Sequence, residues 1–208
     1  ITSPAGHYYA KPVKVIASDN YVRAFAGGVG FAKAAGNYGA TMLPLKEAQM
    51  KGFDQVLWTD GNQHKYAQEI GTMNVFFIMN NIAVTPDLDG TILDGVTRDS
   101  TIQLLKSYGI KVEERKVSLD EIETAHHEGL LTEAFGTGTA ASIAPISHIG
   151  YKGRVMELPA AEKRILSNRV KHDLEGIKTG RIADPFSWMV RVKSKLMLEE
   201  VPSEVTGN

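Results

Sequence analysis

The chain has 208 residues, enough for one large domain or two small ones with a full core. Its 43% hydrophobic and 23% charged residues are an ordinary soluble composition, and a net charge of −1 supplies no global field for nucleic acid or an anionic membrane. The absence of cysteine excludes disulfides, thiolate catalysis, Cys-ligated zinc and iron–sulfur clusters, and it fits a reducing compartment. No apolar run approaches the ~20 residues of a membrane span, and no basic-then-apolar signal opens the chain. The first residue is Ile1, not methionine, so the chain reads as a processed product or as part of something longer.

Residues 1–20 read as extended segments with turns, and Val13-Lys14-Val15-Ile16-Ala17, short and β-branched, predicts a strand. Tyr21 to Phe25 leads into a glycine-rich loop over 27–39. Pro44 to Lys51 consists of helix formers with Gly52 as the stop. Gln55 to Trp58 is the next strand, followed by a turn at Asp60-Gly61-Asn62. Val75–Met79 and Ile82–Thr85 flank Asn80-Asn81 as a hairpin, because Asn tolerates the positive φ of a two-residue turn. Thr97 to Tyr108 predicts a helix that starts near Gly95-Val96-Thr97 and stops at Gly109. Ser118-Leu119-Asp120-Glu121 has the capping-box spacing that opens another helix, and Ala160 to Leu174 is the last. Strands and helices mix without strict alternation, which predicts a mixed α/β domain, not a doubly wound one.

Four segments carry the chemistry. Lys33 lies among small residues in Gly27-Gly28-Val29-Gly30-Phe31-Ala32-Lys33-Ala34-Ala35-Gly36-Asn37-Tyr38-Gly39, where little bulk would keep a flat ligand away. A buried or crowded lysine also loses its proton readily, as an amine nucleophile requires. On spacing alone, a surface lysine is the commoner reading. Glu69-Ile70-Gly71-Thr72-Met73-Asn74 and Phe135-Gly136-Thr137-Gly138-Thr139-Ala140 change that balance. Gly95-Val96-Thr97-Arg98 at a helix start offers free N–H groups and a positive dipole end to an anion, with simple capping by Asp94 or Thr97 as the alternative. Arg98, inside the helix, reads as structural. Consecutive free amides in the glycine-rich turn Gly138-Thr139-Ala140 suit an anion, with an ordinary small-residue loop as the alternative. The six histidines show no metal spacing, and His126-His127 reads as solvated surface.

Taken together, these segments resemble the fold-type IV pyridoxal-phosphate (PLP) enzymes, and within them the branched-chain amino acid aminotransferases, from about Gly6 to Val192. The resemblance implies a mixed sheet or pseudo-barrel with peripheral helices. It implies PLP as cofactor, with Lys33 as the Schiff-base lysine that also carries a proton between the substrate Cα and the cofactor C4′. Tyr38 then bonds the phenolic oxygen, and Glu69 pairs with the ring nitrogen and keeps it an electron sink. Thr72 and Asn74 order the ring's surroundings, and Val96, Thr97 and Thr139 hold the phosphate. The Thr139 and Ala140 amides receive the substrate carboxylate. Ala141-Ser142-Ile143-Ala144 stands where some members carry a C-x-x-C pair, so no thiol switch is expected.

The implied reaction is transamination of leucine, isoleucine and valine with 2-oxoglutarate and glutamate, in a cytoplasmic homodimer without nucleic-acid or membrane partners. A D-amino acid aminotransferase, an aminodeoxychorismate lyase and a non-catalytic isolated domain remain alternatives. The family's smaller N-terminal domain, which gives an arginine to the phosphate and walls the substrate side chain, has no counterpart in residues 1–208. The chain is therefore expected to be the large domain, with an incomplete site that binds PLP weakly.

Overall fold

The computed structural model describes residues 11–190. The extended start expected over residues 1–10, His7, and the end of the resemblance at Val192 lie outside the described residues. Strands β1 (Val13–Ala17), β2 (Gln55–Thr59), β3 (Ala67–Ile70), β4 (Met73–Met79), β7 (Leu131–Gly138) and β8 (Ser142–Tyr151) follow one another in the order β3-β2-β1-β8-β7-β4. Pairing of β3 with β4 closes this path into a six-stranded barrel. Two pairs are parallel, β1–β2 and β1–β8, and the rest of the ring is antiparallel. The mixed barrel expected from the sequence is the observed fold.

Strands β5 (Ile82–Thr85) and β6 (Lys111–Glu114) extend the sheet from the far end of β4, and β9 (Arg154–Glu157) extends it from β8. The β4–β5 turn is the expected one, with Asn80 and Asn81 at φ +48° and +60°.

Every residue of β4 is buried, because both of its faces are covered. Val75, Phe77 and Met79 join Val15, Leu57, Ile70, Ala134 and Ile146 in one apolar cluster, with Leu119 and Ile122 of helix α4 (Leu119–His127) packed against it. Phe76 and Ile78 face the other way, toward helices α3 (Val96–Ser107) and α5 (Leu166–Lys178). There Phe76 stacks on Phe135 with ring centroids 5.3 Å apart. This division follows from the two-residue period of a strand.

Ser118 caps α4 as the sequence predicts, its hydroxyl accepting from the Glu121 N–H. Helix α2 (Met42–Met50) starts two residues earlier than predicted. A short helix α1 (Ala35–Gly39) lies within the stretch expected to be loop.

The last helix corrects the sequence reading. In place of one helix over 160–174 there is a 3-10 turn at Ala161–Lys163, a break, and then α5 at Leu166–Lys178. The start of α5 is set from outside the segment. Buried Glu133 of β7 accepts from the Ile165, Leu166 and Ser167 N–H groups at 2.9, 2.8 and 2.8 Å. A carboxylate at a helix start satisfies orphan donors and complements the dipole. Glu133→Ala should therefore lower the unfolding free energy by about 2 kcal/mol or more, measured by urea denaturation.

Candidate active site

Directly paired residues on neighbouring strands project to the same face. Glu69 pairs with Asn74, and Asn74 with Thr137, so three polar residues form a row across β3, β4 and β7. Phe76 and Phe135, next in line on the same face, lie beneath α3 and α5. The polar row thus continues the apolar outer face to the end of the barrel, where α3 begins.

The row sits at a cavity of about 290 Å³ lined by Lys33, Thr72, Asn74, Leu93, Gly95, Val96, Thr97, Thr137, Thr139 and Ala140, among others. The helix end, the β7–β8 turn and Lys33, far apart in sequence, therefore meet at one cavity. Helix α3 has Gly95 as its N-cap and no side-chain cap, so neither Asp94 nor Thr97 occupies its first amides. Arg98 turns away, donating to the Pro86 carbonyl and pairing with Glu114 at 2.9 Å, which makes it structural.

Glu69 is not itself in the cavity lining. It lies behind the lining, buried, and is bonded to residues that form it: the Leu93 N–H at 2.9 Å and Asn74 Nδ2 at 3.3 Å both donate to Oε1. Asn74 Nδ2 also donates to the Leu93 carbonyl at 2.8 Å. Gly95 fits closely here, because a Cβ would stand 2.2 Å from Asn74 Oδ1. Asn74 thus ties Glu69 to the start of α3.

Lys33 is exposed, not crowded, with Nζ 5.0 Å from the centroid of the Tyr38 ring. Its neighbours Val29 and Phe31 are exposed as well, so nothing among the described residues covers that side of the loop. Tyr38 is half-buried on α1 and outside the cavity lining. Buried Asn37, its neighbour, holds the loop by donating to the Val29 and Ala32 carbonyls at 2.8 and 3.0 Å.

Arg23 is a site residue that sequence reasoning missed. Its Nε lies 2.7 Å from Glu69 Oε2, with both side chains almost wholly buried. No motif or periodicity marks an arginine before a glycine-rich loop as a core residue. His126 differs in part from expectation, since its Nε2 lies 2.9 Å from the Glu157 carbonyl while His127 is exposed. Among the described residues no group of side chains could hold a metal, and no helix is long and apolar enough to cross a membrane.

Residues 2–149 match the family described as amino-transferase class IV. That is well over half of the chain. The chain belongs to the class IV aminotransferase family. It is 45% identical over 196 residues to branched-chain-amino-acid transaminase 1 of Bacillus subtilis (strain 168), covering 92% of this chain and 55% of that protein. The chain thus spans about half the length of the curated relatives it matches. In structure it is similar to a branched-chain aminotransferase from the archaeon Thermoproteus uzoniensis solved with norvaline, at TM-score 0.73 and 25% identity over 86% of this chain and 56% of that one. It is also similar to the branched-chain amino acid aminotransferase from Thermobaculum terrenum in its PLP-bound holo form, at TM-score 0.69 and 28% identity over 83% and 52% of the two chains.

The residues at this cavity fit a phosphorylated pyridine on their own chemistry. Uncapped helix amides and the Thr97 and Thr139 side chains suit a phosphate. Thr137 Oγ1, in the same lining, is buried without a partner. Burial pushes the Glu69 carboxyl up to about 7, against the opposing effects of Arg23, the Leu93 N–H and Lys33. Folding therefore raises this pKa, so the native state holds the proton more tightly than the unfolded chain between pH 4.5 and about 7. The stability Glu69 contributes is complete below that window and declines as pH rises through it. Stability of the wild type relative to Glu69→Gln should fall from pH 4.5 to about 7 and level off above, as urea denaturation across pH would show.

Proposed function

We propose that this chain carries the cofactor-binding part of a PLP-dependent aminotransferase for leucine, isoleucine and valine, with 2-oxoglutarate and glutamate as the partner pair. The observation that carries the reading is the convergence of Lys33, the uncapped start of α3 and the Thr139–Ala140 turn on one cavity backed by Glu69. The branched-chain aminotransferases among its relatives support the substrate class, and the PLP form of a structural neighbour supports the cofactor. The same relatives, nearly twice as long, support a reading of residues 1–208 as the large domain of a longer enzyme. We extend the reading to a cytoplasmic homodimer on the resemblance alone.

When bound, PLP supplies an aldehyde for amine exchange and a protonated ring that accepts electron density. The chain's own residues then have separable tasks. The amides of Val96 and Thr97, with the Thr97 and Thr139 hydroxyls, hold the phosphate at the positive end of α3. The Glu69 carboxylate holds a proton on the ring nitrogen, and that added cation in turn favours the ionised carboxylate. The Tyr38 hydroxyl would donate to the phenolic oxygen, while Thr72 and Asn74 of the cavity lining would border the ring. The Thr139 and Ala140 amides orient the substrate carboxylate. Lys33 Nζ would hold the cofactor and, as a free amine, would move the proton taken from the substrate Cα.

The test begins with borohydride trapping. Borohydride treatment of the chain with PLP, followed by peptide mass spectrometry, should place the phosphopyridoxyl group on Lys33, and Lys33→Ala should abolish the label. Turnover of leucine with 2-oxoglutarate by the longer enzyme should fall by about 10³-fold or more in that variant. Labelling confined to another lysine, or normal turnover by Lys33→Ala, would end the assignment.

A further inference from the structure

Arg23 belongs to none of the segments that carry the chemistry, yet it touches several of them. Its Nη2 donates to the Gly30 carbonyl at 3.0 Å and to the Thr91 carbonyl at 2.5 Å, while Nε stands 2.7 Å from Glu69 Oε2. Gly30 precedes Lys33 by three residues in the same loop. Thr91 lies in the connection 86–95, which supplies the Leu93 N–H to Glu69 and ends at Gly95, the N-cap of α3. We propose that Arg23 is the positioning residue of this site: one buried guanidinium fixes the Lys33 loop, the Glu69 carboxylate and the start of α3 relative to one another. The proposal rests on reading Glu69 as the partner of the ring nitrogen.

The backbone geometry needs such a clasp. The loop and the connection approach so closely at Gly30 that a Cβ there would stand 2.5 Å from the Thr91 carbonyl oxygen and 2.6 Å from Ala24 Cβ. Two buried carbonyls, of Gly30 and Thr91, point at the same nitrogen. Without that donor each would lose its partner and face another acceptor, which is costly in a low-dielectric interior. The planar guanidinium presents several N–H groups in a fixed fork and so serves two carbonyls and a carboxylate together. Lysine could keep the charge but not the fork.

The charge arrangement is equally particular. A buried guanidinium stays protonated, so it needs a buried anion, and Glu69 is that anion. At 2.7 Å the contact is close, yet the Nε–H is not aligned on the oxygen, and Nε has no directed acceptor. The attraction therefore acts through charge and leaves lone-pair directions of Oε2 open. Oε1 is already engaged by Leu93 and Asn74. The carboxylate is thus held by one oxygen and charge-balanced at the other, with capacity left for an incoming ring N–H. Lys33 is the other cation acting on Glu69, from the cavity side.

The experiment follows the Glu69 carboxyl by infrared difference spectroscopy in the chain without PLP, with Glu69→Gln to assign the band. The wild type should half-titrate near pH 7. In Arg23→Met the midpoint should rise by about one pH unit or more. Arg23→Lys should bring the midpoint back to within about half a pH unit of wild type, while amide hydrogen exchange over residues 28–33 speeds up about tenfold because the clasp is gone. An unchanged midpoint in a natively folded Arg23→Met would overturn the proposal. So would an Arg23→Lys variant with wild-type exchange in the loop. If Arg23→Met does not fold, Arg23→Lys decides alone: a restored midpoint with fast exchange supports the clasp, and any other combination rejects it. Neither readout requires bound cofactor, so a failure of the PLP assignment at Lys33 would be seen separately.

Discussion

The site depends on a charge pair buried at the end of a barrel. Glu69 is buried, and burial alone would favour its protonated form. The guanidinium of Arg23 opposes that tendency, as do the Leu93 amide and Lys33. The result is a group balanced near neutrality, not a firmly ionised one. An additional cation beside it, such as a protonated pyridine, would tip the balance toward the carboxylate.

Closure of the barrel by the β3–β4 hairpin puts Glu69 where it is. The short pairing of Glu69 with Asn74 and Ile70 with Met73 is enough to set the face on which Glu69 projects. A one-residue slip would turn it to the opposite face, into the apolar cluster inside the ring. Asn74 then links the carboxylate to Leu93, and Leu93 to Gly95 and the uncapped amides of α3. Glu69 and the start of α3 are thus parts of one bonded assembly. Movement of α3 would be felt at Glu69 through Asn74.

The Lys33 loop is different in kind. Its inner side is clasped by Arg23 at Gly30 and by Asn37 at Val29 and Ala32, while Lys33 itself is exposed. Polar clasps on one side and exposed Val29 and Phe31 on the other give a loop whose backbone is held and whose Lys33 side chain is exposed. That exposure suits the amine role proposed for Lys33.

Much of this protein was legible in the linear chain. Asn80-Asn81 forces its hairpin turn because few other residues accept positive φ in succession, and Ser118 sets its helix start with its own hydroxyl. Such signals are local and survive in a linear reading. The segments around Lys33, Glu69, Gly95 and Thr139 were likewise legible, since small residues and a carboxylate at those positions match a family pattern, and all four contribute to the cavity lining, with Glu69 itself behind it. The long-range terms took shape only in the folded molecule. The start of α5 is set by Glu133, more than thirty residues upstream, so helix propensity over 160–174 gave the wrong start. The position of Glu69 behind the cavity and the exposure of Lys33 depend on what packs around them. Arg23 stayed hidden for the same reason: its sequence neighbourhood is that of a surface arginine, and its burial comes from carbonyls and a carboxylate that reach it only when the barrel closes.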